Sequence, residues 1–404
     1  MSNAVAEAYV KLVLALGEHD SDYVDAYYGP GDWRDEVRVR KHSLDEIRSL
    51  ARDLRDEMHD ATITSDSMLQ LRHEYLKRQT SALISRTEML SGKKLTFDEE
   101  SQALYDAVAP HNPEEFFKGV NAELEREVPG SGPLTDRVEA FRMGFAIPRE
   151  KLDRVFNAAI RACRAMTQEH IELPAGESFT VEYVTNKAWS GYNWYQGNFR
   201  SLIQVNTDLP IFIDRAIDLA CHEGYPGHHV YNALMEKALV RDRGWIEFSV
   251  YPLFSPQSLI AEGSANYGIE VAFPLAERVE YEKKELFPIA GFDPSDAERY
   301  YRVQRLIDQA SYAGNEAARR YLDSEIDESA AVRWLTQYAL MSEARARQRV
   351  RFFDKYRAYV INYNLGKDLV RNYVERHAGG DAKRRWEVFR DLLASPRLPS
   401  ALNR

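Results

Sequence analysis

The chain has 404 residues and a formal net charge of −10, from 53 Lys+Arg against 63 Asp+Glu, with 44% apolar and 29% charged residues. These values belong to soluble globular proteins and exclude extended disorder, collagen-like repeats and a bundle of membrane spans. The acidic balance argues against a polyanion as main partner.

From the N-terminus, AVAEAYVKLVLALGEHD holds an apolar run of about seven residues, Val10 to Leu16, interrupted by Lys11. It lacks a basic head and a small-residue cleavage site, and falls short of the roughly 20 apolar residues that span a bilayer. A cytoplasmic protein is expected. Two cysteines, Cys163 and Cys221, give no disulfide framework and are expected as buried thiols.

Residues 65–92 place Leu69, Leu76, Leu83 and Leu90 seven apart, predicting a helix with Ser65 or Asp66 as N-cap and Gly92 as its stop. In PREKLDRVFNAAIRACRAMTQEHIEL, Leu152, Val155, Phe156, Ala159, Ile160, Cys163 and Met166 line one helical face. The period then changes. Phe179, Val181 and Tyr183 alternate with polar residues, as do Phe199, Ser201, Ile203 and Val205, the pattern of half-buried strands. KAWSGYNWYQG (187–197) between them is expected as a hairpin or substrate-facing loop, or as buried aromatic packing.

Helical spacing resumes in PIFIDRAIDLACHEG, with further helices expected over 256–273, 293–312, 314–325, 328–340, 342–376 and 381–394. The fold class is mainly α with a small antiparallel β-sheet (α+β). The best boundary is ELPAGES (172–178), dividing a helical region 1–175 from a region 176–404 that carries the chemistry, unless the two form one continuous domain. The most basic stretch, 344–357, carries five arginines. On a helix, positions 345, 347, 349 and 351 spread around the cylinder, as on a solvated face. Anchoring of a substrate carboxylate and a nucleic-acid surface are the lesser readings.

HEGYPGHH (222–229) concentrates three histidines and a glutamate in eight positions. In H-E-x-x-H, histidines at i and i+4 share one helical face with the glutamate beside the metal. Here Pro226 stands at i+4. An unbroken helix would send His228 about 240° round from His222 and His229 about 10 Å along. Pro226 and Gly227 predict a kink or bulge. A bulge absorbing two residues makes His228 the equivalent of an i+4 partner. His229 would need three, and remains the second choice as ligand or a hydrogen-bond donor to a developing oxyanion. The third ligand is expected at Glu262, beside Gly263, with Glu270 two turns on as the spare. A His, His, Glu set leaves a fourth position of a tetrahedral zinc open. A non-catalytic metal or ligand site, or a structural turn, are the alternatives.

HEGYPGHH together with AEGSANYG (261–268) resembles a bacterial family known as domain of unknown function eight-eight-five, whose signature is H-E-x-x-P-G-H-H followed by Glu-Gly. That family is similar to the gluzincin zinc metallopeptidases, helical proteins with a small sheet whose edge strand flanks the cleft. The resemblance is strongest over about residues 180–275, with an echo in YNLGK (363–367) of a late Tyr-x-x-Gly element. It implies one zinc ion on His222, His228 or His229, and Glu262, with Glu223 as general base. Two departures stand out: Ser264 replaces the usual Trp, and DQASYAG (308–314) has Tyr312 where the family has a histidine.

The expected function is therefore a zinc-dependent peptidase or amide hydrolase. Its oxyanion donor would be Tyr363, His229 or Tyr312. A peptide substrate would pair with the strand around Leu202 to Val205, its carboxylate held by Arg200 or an arginine of 345–351. Tyr312 is also a candidate for substrate contact.

Overall fold

The computed structural model describes residues 3–59, 65–187 and 189–403, so Ala188 of the predicted 187–197 loop lies outside the described residues. The chain is mainly α with a small β component.

Helix α1 (Asn3–Gly17) sinks Tyr9, Val10, Val13 and Leu16 into the main core. The apolar run read near the N-terminus is thus a packing face. Strand β1 (Val24–Tyr27) follows. Helix α2 (Ser67–Leu90) starts where the Asp66 carboxylate accepts the Met68 and Leu69 amides. It buries Tyr75, Leu76, Ala82 and Leu83 from the seven-residue seam and ends before Gly92, whose φ is +99°. Helix α3 (Leu152–His170) presents Leu152, Val155, Phe156, Ala159 and Cys163 to the core. Full burial of a Val or Phe such as Val155 or Phe156 contributes about 1.5–3 kcal/mol of transfer free energy.

The sheet differs from the expected hairpin. Strand β2 (Ser178–Val184) runs parallel to β4 (Arg200–Asn206), and β3 (Gly191–Gly197) lies antiparallel on the other side of β4, giving the order β2-β4-β3. Residues 191–197, expected as a hairpin, a loop or buried aromatic packing, form an edge strand that buries Asn193, Tyr195 and Gly197 and leaves Trp194 exposed. In β4, Ser201, Ile203 and Val205 are buried in alternation. In β2, Tyr183 departs from its predicted inward position and is 39% exposed.

Helix α4 (Asp214–Leu219) leads into the HEGYPGHH segment, and α5 (His228–Met235) leaves it. Strand β5 (Val250–Pro252) pairs antiparallel with β1. Helix α6 (Pro256–Ala272) has Pro256 in its first turn, where its missing N–H costs nothing. The single helix expected over 342–376 is two, α7 (Glu343–Tyr356) and α8 (Ile361–Ala378). At the break, Arg357 has φ +50°, and the buried Glu100 carboxylate takes both the Arg357 guanidinium at 2.6 Å and the Ala358 amide at 3.2 Å. That carboxylate supplies the partners a continuous helix would have supplied.

The largest apolar cluster contains residues from Val5 to Leu402, including α1, α2, α3, α6 and α8. Helices α6 and α8 cross with glycine against glycine. A Cβ on Gly263 would stand 2.4 Å from the carbonyl carbon and oxygen of Gly366. Among the described residues, no helix is long and apolar enough to cross a membrane.

Candidate metal centre

After Leu219 the helix widens. The Tyr225 amide reaches back five residues to the Ala220 carbonyl at 3.1 Å, and the Gly227 amide reaches six, to Cys221 at 2.9 Å. Two residues beyond the ordinary i→i−4 register are thereby absorbed before α5 begins. Gly227 is required here, because a Cβ would fall 1.9 Å from the His222 carbonyl oxygen. The Tyr225–Pro226 peptide is cis.

This places His228 Nε2 3.1 Å from His222 Nε2. Glu262 Oε2 stands 3.3 Å from the first imidazole and 3.7 Å from the second. Ligands at about 2.0–2.1 Å from a tetrahedral ion are separated by about 3.3–3.4 Å, so the three donor atoms fit one small cation. The Glu262 side chain is 10% exposed and its Oε2 is buried without a hydrogen-bond partner. Its Oε1 accepts the Tyr359 hydroxyl at 2.8 Å. The orphaned oxygen thus faces the imidazoles, whose side chains keep 14% and 12% exposure.

The tautomer of His222 follows from its neighbours. Asn266 donates its amide to the Tyr363 carbonyl at 3.1 Å, so its Oδ1, 3.1 Å from His222 Nδ1, faces that nitrogen as an acceptor. His222 Nδ1 therefore carries the proton, and Nε2 offers a lone pair toward Glu262 and His228.

Electrostatics suits a cation. Burial opposes the charged form of His228, but Glu262, Glu223 and Asp25 lift its pKa to about 9. Burial likewise works against the Glu262 carboxylate, while His222 and His228 hold it well below the usual range. Burial pushes Asp25, on β1, up to about 7; the His228 charge opposes this, and Glu262 and Glu223 add to it. The Asp25 carboxylate also accepts the Tyr192 hydroxyl from β3.

Glu223 Oε1 lies 4.0 Å from His222 Nε2, and its backbone carbonyl accepts the Asn193 amide at 2.7 Å. The edge strand β3 makes room for it. A Cβ at Gly191 would come within 2.9 Å of Glu223 Oε1.

The remaining sequence candidates separate. His229 turns away: Nδ1 is 2.8 Å from Ser201 Oγ and Nε2 is 2.9 Å from Glu177 Oε2, so both ring nitrogens are engaged outside the cluster. This corrects its reading as ligand or oxyanion donor. Glu270, the spare ligand, lies two turns along α6, about 12 Å from Glu262, and is ion-paired to Arg371 and Lys367. Tyr363 is half-buried on α8; burial raises its pKa, and Glu262 and Glu223 act on it as charges. Tyr312 instead donates its hydroxyl to Asp368 at 2.6 Å. Arg200 is exposed at the start of β4, five residues from Val205, the partner of Gly191. It therefore stands about 17 Å along the strand from the Glu223 end. Since β4 is central, its backbone cannot take a peptide. The edge beside Glu223 belongs to β3.

Asp25, Tyr359, Asn266 and Glu177 were not singled out in the sequence. Asn266 alone carried a signal, four residues after Glu262 on the same helical face.

No family model matches the chain, and no curated protein matches it. Solved structures do. A candidate lipoprotein of Colwellia psychrerythraea is 16% identical, with TM-score 0.54, covering 88% of this chain and 65% of that one. The chain thus spans about two thirds of the length of that neighbour. A structure named BsuCP is 12% identical, with TM-score 0.50, covering 97% and 89%. A candidate lipoprotein of unknown function from Shewanella oneidensis is 12% identical, with TM-score 0.44, covering 91% and 79%. The first two likenesses show the fold alone.

Proposed function

We propose that this chain is a metal-dependent hydrolase of the gluzincin kind, acting on peptide or other amide bonds with one zinc ion on His222, His228 and Glu262. The observation that carries the reading is the convergence of three donor atoms within 3.1–3.7 Å, one of them a buried carboxylate oxygen with no other partner. The resemblance of HEGYPGHH and AEGSANYG to the eight-eight-five family supports it.

A bound ion would act as a Lewis acid on the substrate carbonyl and acidify a water. Glu223 takes a proton from the attacking water and delivers it to the leaving amine, the work of a general base that becomes a general acid. Tyr359 fixes the Glu262 carboxylate, and Asn266 fixes the His222 ring, so the donors are held before any ion arrives. Tyr363, on α8, where Glu262 and Glu223 act on it as charges, is the donor toward the developing oxyanion. An extended substrate lies along the free edge of β3.

The test is metal content of the purified protein with a peptide panel. Wild type retains one zinc per chain and His222→Ala loses it. Glu223→Gln retains zinc and loses about 10²- to 10⁴-fold in turnover. Zinc content unaffected by His222→Ala refutes the site. Zinc bound with no turnover in wild type leaves a non-catalytic metal-binding protein.

A further inference from the structure

The arginines of α7 divide by what they meet. Arg347 is exposed and ion-paired to Glu343 at 2.6 Å. Arg349 is half-buried, and among the described residues it makes no hydrogen bond and no ion pair. Its guanidinium lies 5.3 Å from the Phe352 ring centroid. Phe352 stands 6.4 Å from Tyr363, and Tyr363 5.8 Å from Tyr359, the residue that holds Glu262. Tyr363 is thus the residue on which Glu262 and Arg349 both act as charges. Burial lowers the Arg349 pKa, and Tyr363 is the ionisable neighbour that acts on it.

Arg345, one turn earlier on the same face, repeats the pattern. It packs over Phe212 at 5.5 Å, and burial, with Arg142 and Arg215 nearby, lowers its pKa. Beside Phe352 and Tyr356 a cavity of about 330 Å³ is bordered by Lys187, Arg351 and Lys355. In a chain of net charge −10 three cations border this one cavity, of which Lys355 is paired with Asp22 at 3.0 Å. A desolvated guanidinium without an anion is costly, and its planar fork matches a carboxylate.

We propose that Arg349 anchors a substrate carboxylate, so that the site accepts peptides by their free C-terminal end and releases the last amino acid. The inference rests on the hydrolase reading above. Water adds across the final amide: its hydroxyl goes to the acyl carbon, the C–N bond breaks, and the proton passes through Glu223 to the departing amine. The amino acid leaves with its carboxylate still on Arg349.

The experiment uses a panel of N-acetylated tripeptides, each as the free acid and as the C-terminal amide. Zinc-loaded Glu223→Gln protein is titrated calorimetrically with both, alone and combined with Arg349→Gln, Arg349→Lys or Arg347→Gln, with melting temperatures as a fold check. Free acids are expected to bind about tenfold or more tightly than amides. Arg349→Gln abolishes that preference, Arg349→Lys keeps part of it, and Arg347→Gln leaves it intact. Equal binding of acid and amide, a preference that survives Arg349→Gln, or no binding of any free acid overturns the anchor. The hydrolase reading fails separately, if zinc-loaded wild type cleaves neither form. Cleavage of amides as fast as acids keeps the hydrolase and removes the anchor.

Discussion

Glu177 meets three donors at once: the His229 ring, the Tyr225 hydroxyl at 2.6 Å and the Arg164 guanidinium. Burial opposes its charge, yet these partners bring its pKa to about 2. Below its unfolded pKa the unfolded chain then binds a proton that the folded chain refuses, so stability rises with pH across this window. The increment is full above about pH 4.5 and is lost as pH falls toward 2. It is on the order of 2–3 kcal/mol. Glu177→Gln should lower the urea midpoint at pH 7 and flatten its fall between pH 5 and 3; an unchanged acid limb refutes the assignment. The same triad shows how far single residues were legible. The adjacency of three histidines and Pro-Gly announced a deformed helix, and the two-residue offset singled out His228. The role of His229 was not legible, because its partners Glu177 and Ser201 come from segments whose approach no local pattern encodes. Asp25 was hidden for the same reason.

At the scale of elements, the crossing of α6 and α8 sets where Glu262 points. Gly263 and Gly366 let the backbones meet, and Tyr359 and Tyr363 then come down over Glu262 from the α8 side. Gly263→Ala must push the helices apart, since backbone cannot yield as a flexible side chain can. A loss of about 3 kcal/mol in stability is expected, together with weakened zinc retention, measured by denaturant titration and metal analysis. Wild-type stability in Gly263→Ala would show that the helices part freely. The helices were readable from their 3.6-residue period, and Asp66 and Gly92 marked two ends correctly. Two things were not. The break at Arg357 lies within an unbroken helical pattern and depends on Glu100, more than 250 residues earlier. The strand Gly191–Gly197 is rich in Gly and aromatic residues and carries a loop's signature, but its pairing with β4 decides its conformation.

For the molecule as a whole, one tie between distant segments is deeply buried. Arg72 of α2 is held by Glu247 in a two-pronged ion pair at 2.5 and 3.0 Å, with the glutamate fully enclosed, while the guanidinium lies 4.9 Å over Trp245. Arg72→Met would strand the Glu247 charge and should cost about 3–5 kcal/mol, read from chemical denaturation. A loss below 1 kcal/mol would mean that Glu247 finds water or a proton. The mainly α architecture was legible because helical periodicity runs through most of the chain.

One strand of four residues, β1, carries Asp25 to the ligand cluster, while Tyr359 and Tyr363 reach it from the other end of the sequence. A ribosome delivers the first of these groups some 340 residues before the last. The full electrostatic cage thus closes late in synthesis, and any ion that needed the finished cage would be acquired after most of the polypeptide has emerged.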